Sequence, residues 1–311
     1  MDRLLDESSE SSLSAINSLA LDYSDNLGGP QASPVLPIEL EREIFDTVAY
    51  LHSEAMPSLL LVCRRVYDWV TKIKYRTIGP SYIPSCCSFH ELERGILSMS
   101  KPTSFFRDRV RHLHIPWGHR VEMRELLSTC SSVTALAVMI VLDPSVFSGL
   151  SVLRPRRANL ALTSLLNHTN LCRSLFSCTT HLHDLDMRTF ESNPTTDRWL
   201  SFLSLLPALT HLAAPMSPDL VPLVFASCKT LEILIYIQSF LGPSPFKEPD
   251  RFTDDERILY MIITWDYAQN WVTGVQGGTD FWVRADKFVA MRRRGQIKPC
   301  SRCWIEDEDG I

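Results

Sequence analysis

Apolar residues along this chain follow two rhythms. Between Leu36 and Ile78 they fall at helical spacing. Leu40, Ile44, Val48 and Leu51 make one stripe, and Leu59, Val62, Val66, Trp69 and Ile73 make a second, with Leu60, Cys63 and Val70 beside it. Pro37 suits the first turn of the first helix, where a missing N–H costs nothing, and Pro57 opens the second. About forty residues bury little surface alone, so two such helices need a following domain or a partner to cover them.

From Val110 the rhythm changes to a recurring apolar-x-x-Leu-x-apolar unit. It reads as Val110/Leu113/Ile115, Val133/Leu136/Val138, Arg157/Leu160/Leu162, Leu182/Leu185/Met187, Leu209/Leu212/Ala214 and Leu231/Leu234/Tyr236, with Ile258/Met261/Ile263 as a candidate seventh. The central residues lie 23, 24, 25, 27, 22 and 27 apart, the period of leucine-rich repeats. Helix-like segments precede several copies, as at Met123–Leu127 and Leu220–Val224. The expected architecture is α/β: N-terminal helices, then an irregular leucine-rich-repeat solenoid with parallel strands, then a C-terminal capping helix. Each strand-plus-helix unit must stack on its neighbours to cover its apolar face.

Alternation along a strand sends the residues flanking each central Leu to the concave face. His112, His114, Asn159, Asp184, Asp186, Arg188 and His211 are thereby expected on an open surface, as candidate substrate contacts. For any one of them, plain solvation is the competing reading. Ile233, Ile235 and Ile237 fall on the same face, and such an apolar row calls for cover by the C-terminal segment or by a partner.

Near the end of the chain, Asp280 is placed to cap a helix bearing Phe281, Trp282, Ala285, Phe288 and Val289. Arg292, Arg293 and Arg294 occupy its last turn and Gly295 follows, as the helix dipole and the C-cap prefer. With Trp265 and Trp271 upstream, this helix is expected to close the open end of the repeat stack. The Arg triplet also fits a nuclear import signal or a phosphate contact.

The first helices resemble an F-box. Leu36, Pro37, Glu39, Leu40 and Ile44 match, then Leu59, Leu60, Val62, Cys63, Arg64 and Arg65, then Tyr75 and Arg76. Ser104-Phe-Phe-Arg-Asp108, Val110-Arg-His-Leu113 and the Gly278-to-Gly295 segment extend the likeness to the F-box-like proteins expanded in mushroom-forming fungi. The chain departs from the common pattern at His52 to Met56, and the usual Trp is displaced to Trp69. The resemblance implies that Leu36, Pro37, Leu40, Ile44, Leu59, Leu60, Val62 and Val66 bind the small adaptor of a cullin (SCF-type) ubiquitin ligase. The repeat face would then hold a protein substrate. The alternatives are a leucine-rich-repeat interaction module outside any ligase, its first helices serving as a cap, and an enzyme.

The residue types present narrow this further. The 311 residues are 45% hydrophobic with a net charge of −5. Residues 1–33 carry one Arg against six acids and end in Gly28-Gly29-Pro30, which reads as a disordered acidic tail with a weak stripe at Leu13, Ile16, Leu19 and Tyr23. Residues 34–79 form the F-box-like domain, 80–264 the repeats, 265–297 the capping segment and 298–311 a second acidic tail. The intervening body is mildly basic, which is no nucleic-acid footprint. No signal peptide or membrane-length apolar run is visible, and nine scattered cysteines, several in apolar runs as at Cys130, Cys178 and Cys228, suit reduced thiols. The expectation is a soluble protein of cytosol or nucleus, without cofactor or metal. Cys300 and Cys303 form a lone C-x-x-C, too few ligands for zinc. No nucleophile elbow, phosphate loop or H-E-x-x-H is present, so nothing pairs a nucleophile with a base.

Overall fold

A computed structural model describes residues 36–99, 101–116, 123–139, 143–185, 193–216, 218–238, 255–262 and 266–311. The acidic N-terminal tail, Asp186, Arg188, Met187, Ile263 and Trp265 lie outside them. The chain divides into two compact units, Met1–Glu43 and Ile44–Ile311. In the first unit the described residues are Leu36–Glu43, the start of helix α1 (Ile38–Leu51), where Glu41 N–H donates to the Pro37 carbonyl at 3.0 Å.

In the second unit the second expected helix is two pieces. A single turn, α2 (Met56–Leu59), is followed by turn residues and then α3 (Arg64–Lys74). Cys63, the residue before α3, has extended φ and ψ of −166° and 168°, so the helix cannot run through. Val66 and Val70 of α3 bury against Ala49 of α1, with Phe45, Met56, Leu59, Leu60, Trp69 and Ile73 around them. The stripe therefore ends at Lys74, and Thr77–Gly79, inside the stretch that reads as helical, is strand β1.

Among the described residues the sheet has nine parallel strands. They are β1, β2 (Cys87–Ser88), β3 (His112–Ile115), β4 (Ala135–Val138), β5 (Arg157–Leu160), β6 (His181–Asp184), β7 (His211–Ala214), β8 (Ile233–Gln238) and β9 (Ile258–Ile262). Their order is β2-β1-β3 and then sequential to β9. Helices separate the strands: α4 (Phe89–Leu97), α5 (Thr103–Arg109), α6 (Met123–Thr129), α7 (Phe147–Leu150), α8 (Thr169–Leu175), α9 (Asn193–Leu203) and α10 (Val221–Ser227). Parallel neighbours need such crossovers, and repetition of one strand and one helix puts the helices on one face. Ser88 and Glu91 form a capping box at the start of α4.

Leu113, Leu136, Ala158, Leu182, Leu212, Leu234 and Ile258 pair in register across β3 to β9. Those from Leu113 to Ile258 join one core with Leu127, Leu150, Leu175, Phe176, Trp199 and Val224 from the helices. This corrects the phase of three repeats. The central residue of the third is Ala158 rather than Leu160, of the fourth Leu182 rather than Leu185, and of the last Ile258 rather than Met261. A shift of two keeps each side chain on its face, whereas a shift of three reverses it.

Threonines stitch the strand entrances together. Thr134 Oγ1 donates to the Arg111 carbonyl at 3.1 Å, Thr180 Oγ1 to that of Arg156 at 3.2 Å, and Thr210 Oγ1 to that of Thr180 at 3.1 Å. Thr179, wholly buried, donates to the Pro155 carbonyl at 2.7 Å. These hydroxyls satisfy main-chain acceptors at the strand entrances.

Two further helices, α11 (Tyr267–Val275) and α12 (Phe281–Arg293), lie on the other face of the sheet. The Asp280 side chain accepts from Val283 N–H at 2.9 Å, so the expected N-cap is present, and Gly295 closes the helix with φ +69°. The position of α12 differs from expectation: it covers the face of the sheet instead of an end of the stack. Phe281, Trp282, Ala285, Phe288 and Val289 bury against Ala213, Ile233, Ile235, Ile237 and Leu259, so the isoleucine row is covered by the chain itself. Helix α11 contributes Ala268, Trp271 and Val272 over Ala135, Ala137 and Ile83. Beyond it, Tyr260 of β9 bridges to Trp304, and Tyr260 N–H donates to the Cys303 carbonyl at 2.7 Å, which occupies the outer edge of the sheet. Among the described residues no helix is long and apolar enough to cross a membrane.

Candidate docking surface and the covered sheet face

The helices of residues 44–74 bury one side and present the other. Ile44 is 50% exposed, Val62 54% and Leu61 73%, with Leu51 also open. The break before Cys63 produces this: Leu61 and Val62 sit in the turn between α2 and α3, away from Val66 and Val70. In the first unit Leu36, Pro37 and Leu40 are exposed. Leu59 and Leu60 are half-buried. Val66 is fully buried among its own helices, so it holds the surface up and is not itself available to a partner.

The expected open surface of the sheet is a covered one. His112, His114, Asn159 and His211 do project on the face opposite the leucines, but all four are buried: His114 and Asn159 under α11, His211 under α12, and His112 beside Thr77 of β1, whose Oγ1 lies 2.9 Å from its Nδ1. His114 lies against the Trp271 ring at 5.5 Å between centroids. Asn159 Nδ2 donates to the Tyr267 hydroxyl. His183, which the fourth-repeat phase assigns to the core, stands between Tyr267 and Phe281 at 5.5 and 5.6 Å. His181 and His211 stack at 4.2 Å, 9° from parallel, and Trp282 stands nearly perpendicular to both at 5.2 and 5.9 Å.

Asp184 faces the opposite way. It is 1% exposed and lies in the helix-side core, where it accepts from Leu162 N–H at 3.2 Å and from Trp199 Nε1–H at 3.3 Å. Its expected place beside the substrate followed from the three-residue phase error. Asp186 and Arg188 fall outside the described residues.

Desolvation sets the electrostatics of the covered face. Burial pushes His114 down to about 4 and His183 to about 3. His112 falls to about 4 through burial and the nearby Arg76, Arg157 and Arg111. His181 falls to about 3 through burial, then His211 and Arg157, with Asp286 opposing. Two acids of the C-terminal segment answer this row. Asp280 Oδ2 accepts from Arg157 Nη1 at 2.8 Å, and Asp286 Oδ1 lies 2.9 Å from His211 Nε2.

Among the described residues no cluster of three His, Cys, Asp or Glu is placed to hold a metal ion. All nine cysteines are free thiols; Cys130, Cys228 and Cys303 are buried, while Cys178 is exposed, contrary to the apolar run around it, and so is Cys300. Burial pushes Cys130 up to about 12, so it is no thiolate. No protein-family model and no curated protein matches this chain.

Proposed function

We propose that this protein is a non-catalytic, F-box-like substrate-recognition subunit of a cullin-based ubiquitin ligase, with its N-terminal helices as the handle for the adaptor. The observation that carries the reading is the exposure of Ile44, Leu61 and Val62 on helices whose own core is complete without them. A purely capping helix pair would turn such residues inward. Binding of this kind rests on a few apolar anchors at the centre of an interface. The leucine-rich-repeat part is the scaffold, and ubiquitin transfer to a bound protein would happen by proximity in other subunits. A substrate then engages either a surface outside the covered face, or that face after α11 and α12 have left it.

The second reading is an interaction module that joins no ligase. Its support is Tyr75, at the end of α3, which packs edge-on against Phe105 and Phe106 at 5.2 and 6.1 Å and so ties the helices to the sheet core. Co-purification with a recombinant cullin adaptor separates the two. Wild type should retain the adaptor, and Ile44→Asp with Val62→Asp, or Leu36→Ala with Pro37→Ala, should lose it while the circular dichroism spectrum stays unchanged. Equal recovery by wild type and variants, or no recovery by wild type, sinks the ligase reading.

A further inference from the structure

The cover over the sheet is apolar at one end and ionisable at the other. Towards β8 and β9, α12 sits on isoleucines. Towards β5 to β7 it sits on Arg157, His181 and His211, which are in register as neighbours across three strands. The geometry points to α12 being a pH-released strap: protonation of the stacked His181–His211 pair places like charges beside Arg157 beneath Trp282 and lifts the helix from the sheet. This inference is independent of the ligase reading.

Each group facing the pair bears on the sign. From the sheet, Arg157 adds positive charge and opposes a proton on His181, while the buried His112 further along the row is held neutral. Thr180 and Thr210 hydroxyls lie 2.9 and 2.7 Å from the Nδ1 atoms of His181 and His211, and a hydroxyl turns to suit either protonation state. From α12, Trp282 stands nearly perpendicular to both rings and brings no charge to them. Asp280 is engaged by Arg157. Asp286 favours a charged His211, but it is half-exposed and serves one ring of the two. From α11, Tyr267 and the neighbouring His183 are buried and neutral. Burial and Arg157 therefore oppose a proton on His181 while α12 is seated. Once α12 has lifted, both rings are solvated and take up protons freely, so acid favours the lifted state.

Hydrogen exchange of the full chain, read by mass spectrometry and corrected for the intrinsic pH dependence, tests this. Between pH 7.5 and 5.0 the protection of Phe281–Arg293 should fall, approaching about tenfold per pH unit for each extra proton taken up below the ordinary histidine range. Strand Ala135–Val138, which exchanges through global unfolding, should lose protection less and only at lower pH than α12. His181→Gln with His211→Gln should reduce the dependence to the part that His183 beneath Phe281 carries, and Asp286→Asn, which removes the stabilising carboxylate, should move the onset to higher pH. Should the double variant not fold, His181→Gln alone decides: it leaves the His211–Asp286 pair and should shift the onset to lower pH. Unchanged protection of α12, loss together with Ala135–Val138, or an onset indifferent to these variants overturns the proposal.

Discussion

Arg157 donates a 2.8 Å hydrogen bond to Asp280 across 123 residues of sequence. The same carboxylate caps α12 through Val283, and Gly274 leaves it room: a Cβ there would lie 1.9 Å from Asp280 Oδ2. Gly274→Ala must displace Asp280, and with it both the cap and the ion pair. The expected loss is about 1–3 kcal/mol of unfolding free energy, measured as a lower urea midpoint. Asp280→Asn, which retains a capping oxygen, should cost less than Asp280→Ala, the difference being about 1 kcal/mol for the cap.

Asp184 is buried with two donors aimed at it, Leu162 N–H and Trp199 Nε1–H. Asp184→Leu fills the volume but leaves both donors without this acceptor in a dry core. Each such donor costs about 1–3 kcal/mol, so the variant should unfold at clearly lower urea. Stability equal to wild type would show that water reaches these groups.

The helical unit offers a paired contrast. Val66→Ala opens a cavity among Ala49 and Val70 and should cost about 2 kcal/mol. Ile44→Asp changes an exposed position and should alter stability by no more than about 0.5 kcal/mol, while removing adaptor retention if the proposed function holds. Melting temperature and co-purification measured on the same two variants separate folding from docking.

Acid should destabilise the whole second unit. His112, His114, His181 and His183 are held well below the ordinary value of 6.5. Above that value they are neutral in both states, and their contribution to stability is fully present. As pH falls from 6.5 towards 4 and 3, the unfolded chain takes up protons that the folded chain declines. Each histidine then removes up to about 1.4 kcal/mol per pH unit. Urea midpoints should be flat from pH 8 to 7 and fall below 6.

The sheet was legible in the sequence because apolar or aromatic residues occupy all three signature positions in repeats one, two and six. It was blurred where polar residues take those positions. In the fourth repeat Thr179 and Asp184 stand where an apolar residue is expected, because each finds a hydrogen-bond partner inside the core. The nearby Leu185 then supplied a better-looking match three residues late. The α12 stripe and its caps were readable from spacing alone, but its destination was not, since an apolar stripe states that a helix is covered and not by what. One signal was present: five histidines, an asparagine and small alanines alternate with the leucines of β3 to β7. Alanines leave room for a helix to approach, and wide aromatic stripes just downstream were available to fill it. The exposed anchors Ile44 and Val62 were readable only in part, because Val66, on the same stripe, turned inward once the helix broke at Cys63.

The segment that covers the sheet is also the last of it to be made. Strands β3 to β9 leave the ribosome before Tyr267 does, at a pace of about 5–20 residues per second. For some seconds the nascent sheet therefore shows Ile233, Ile235 and Ile237 bare, in the very state that chaperones recognise. A chain truncated after residue 262 would lack α12 and keep those three isoleucines bare.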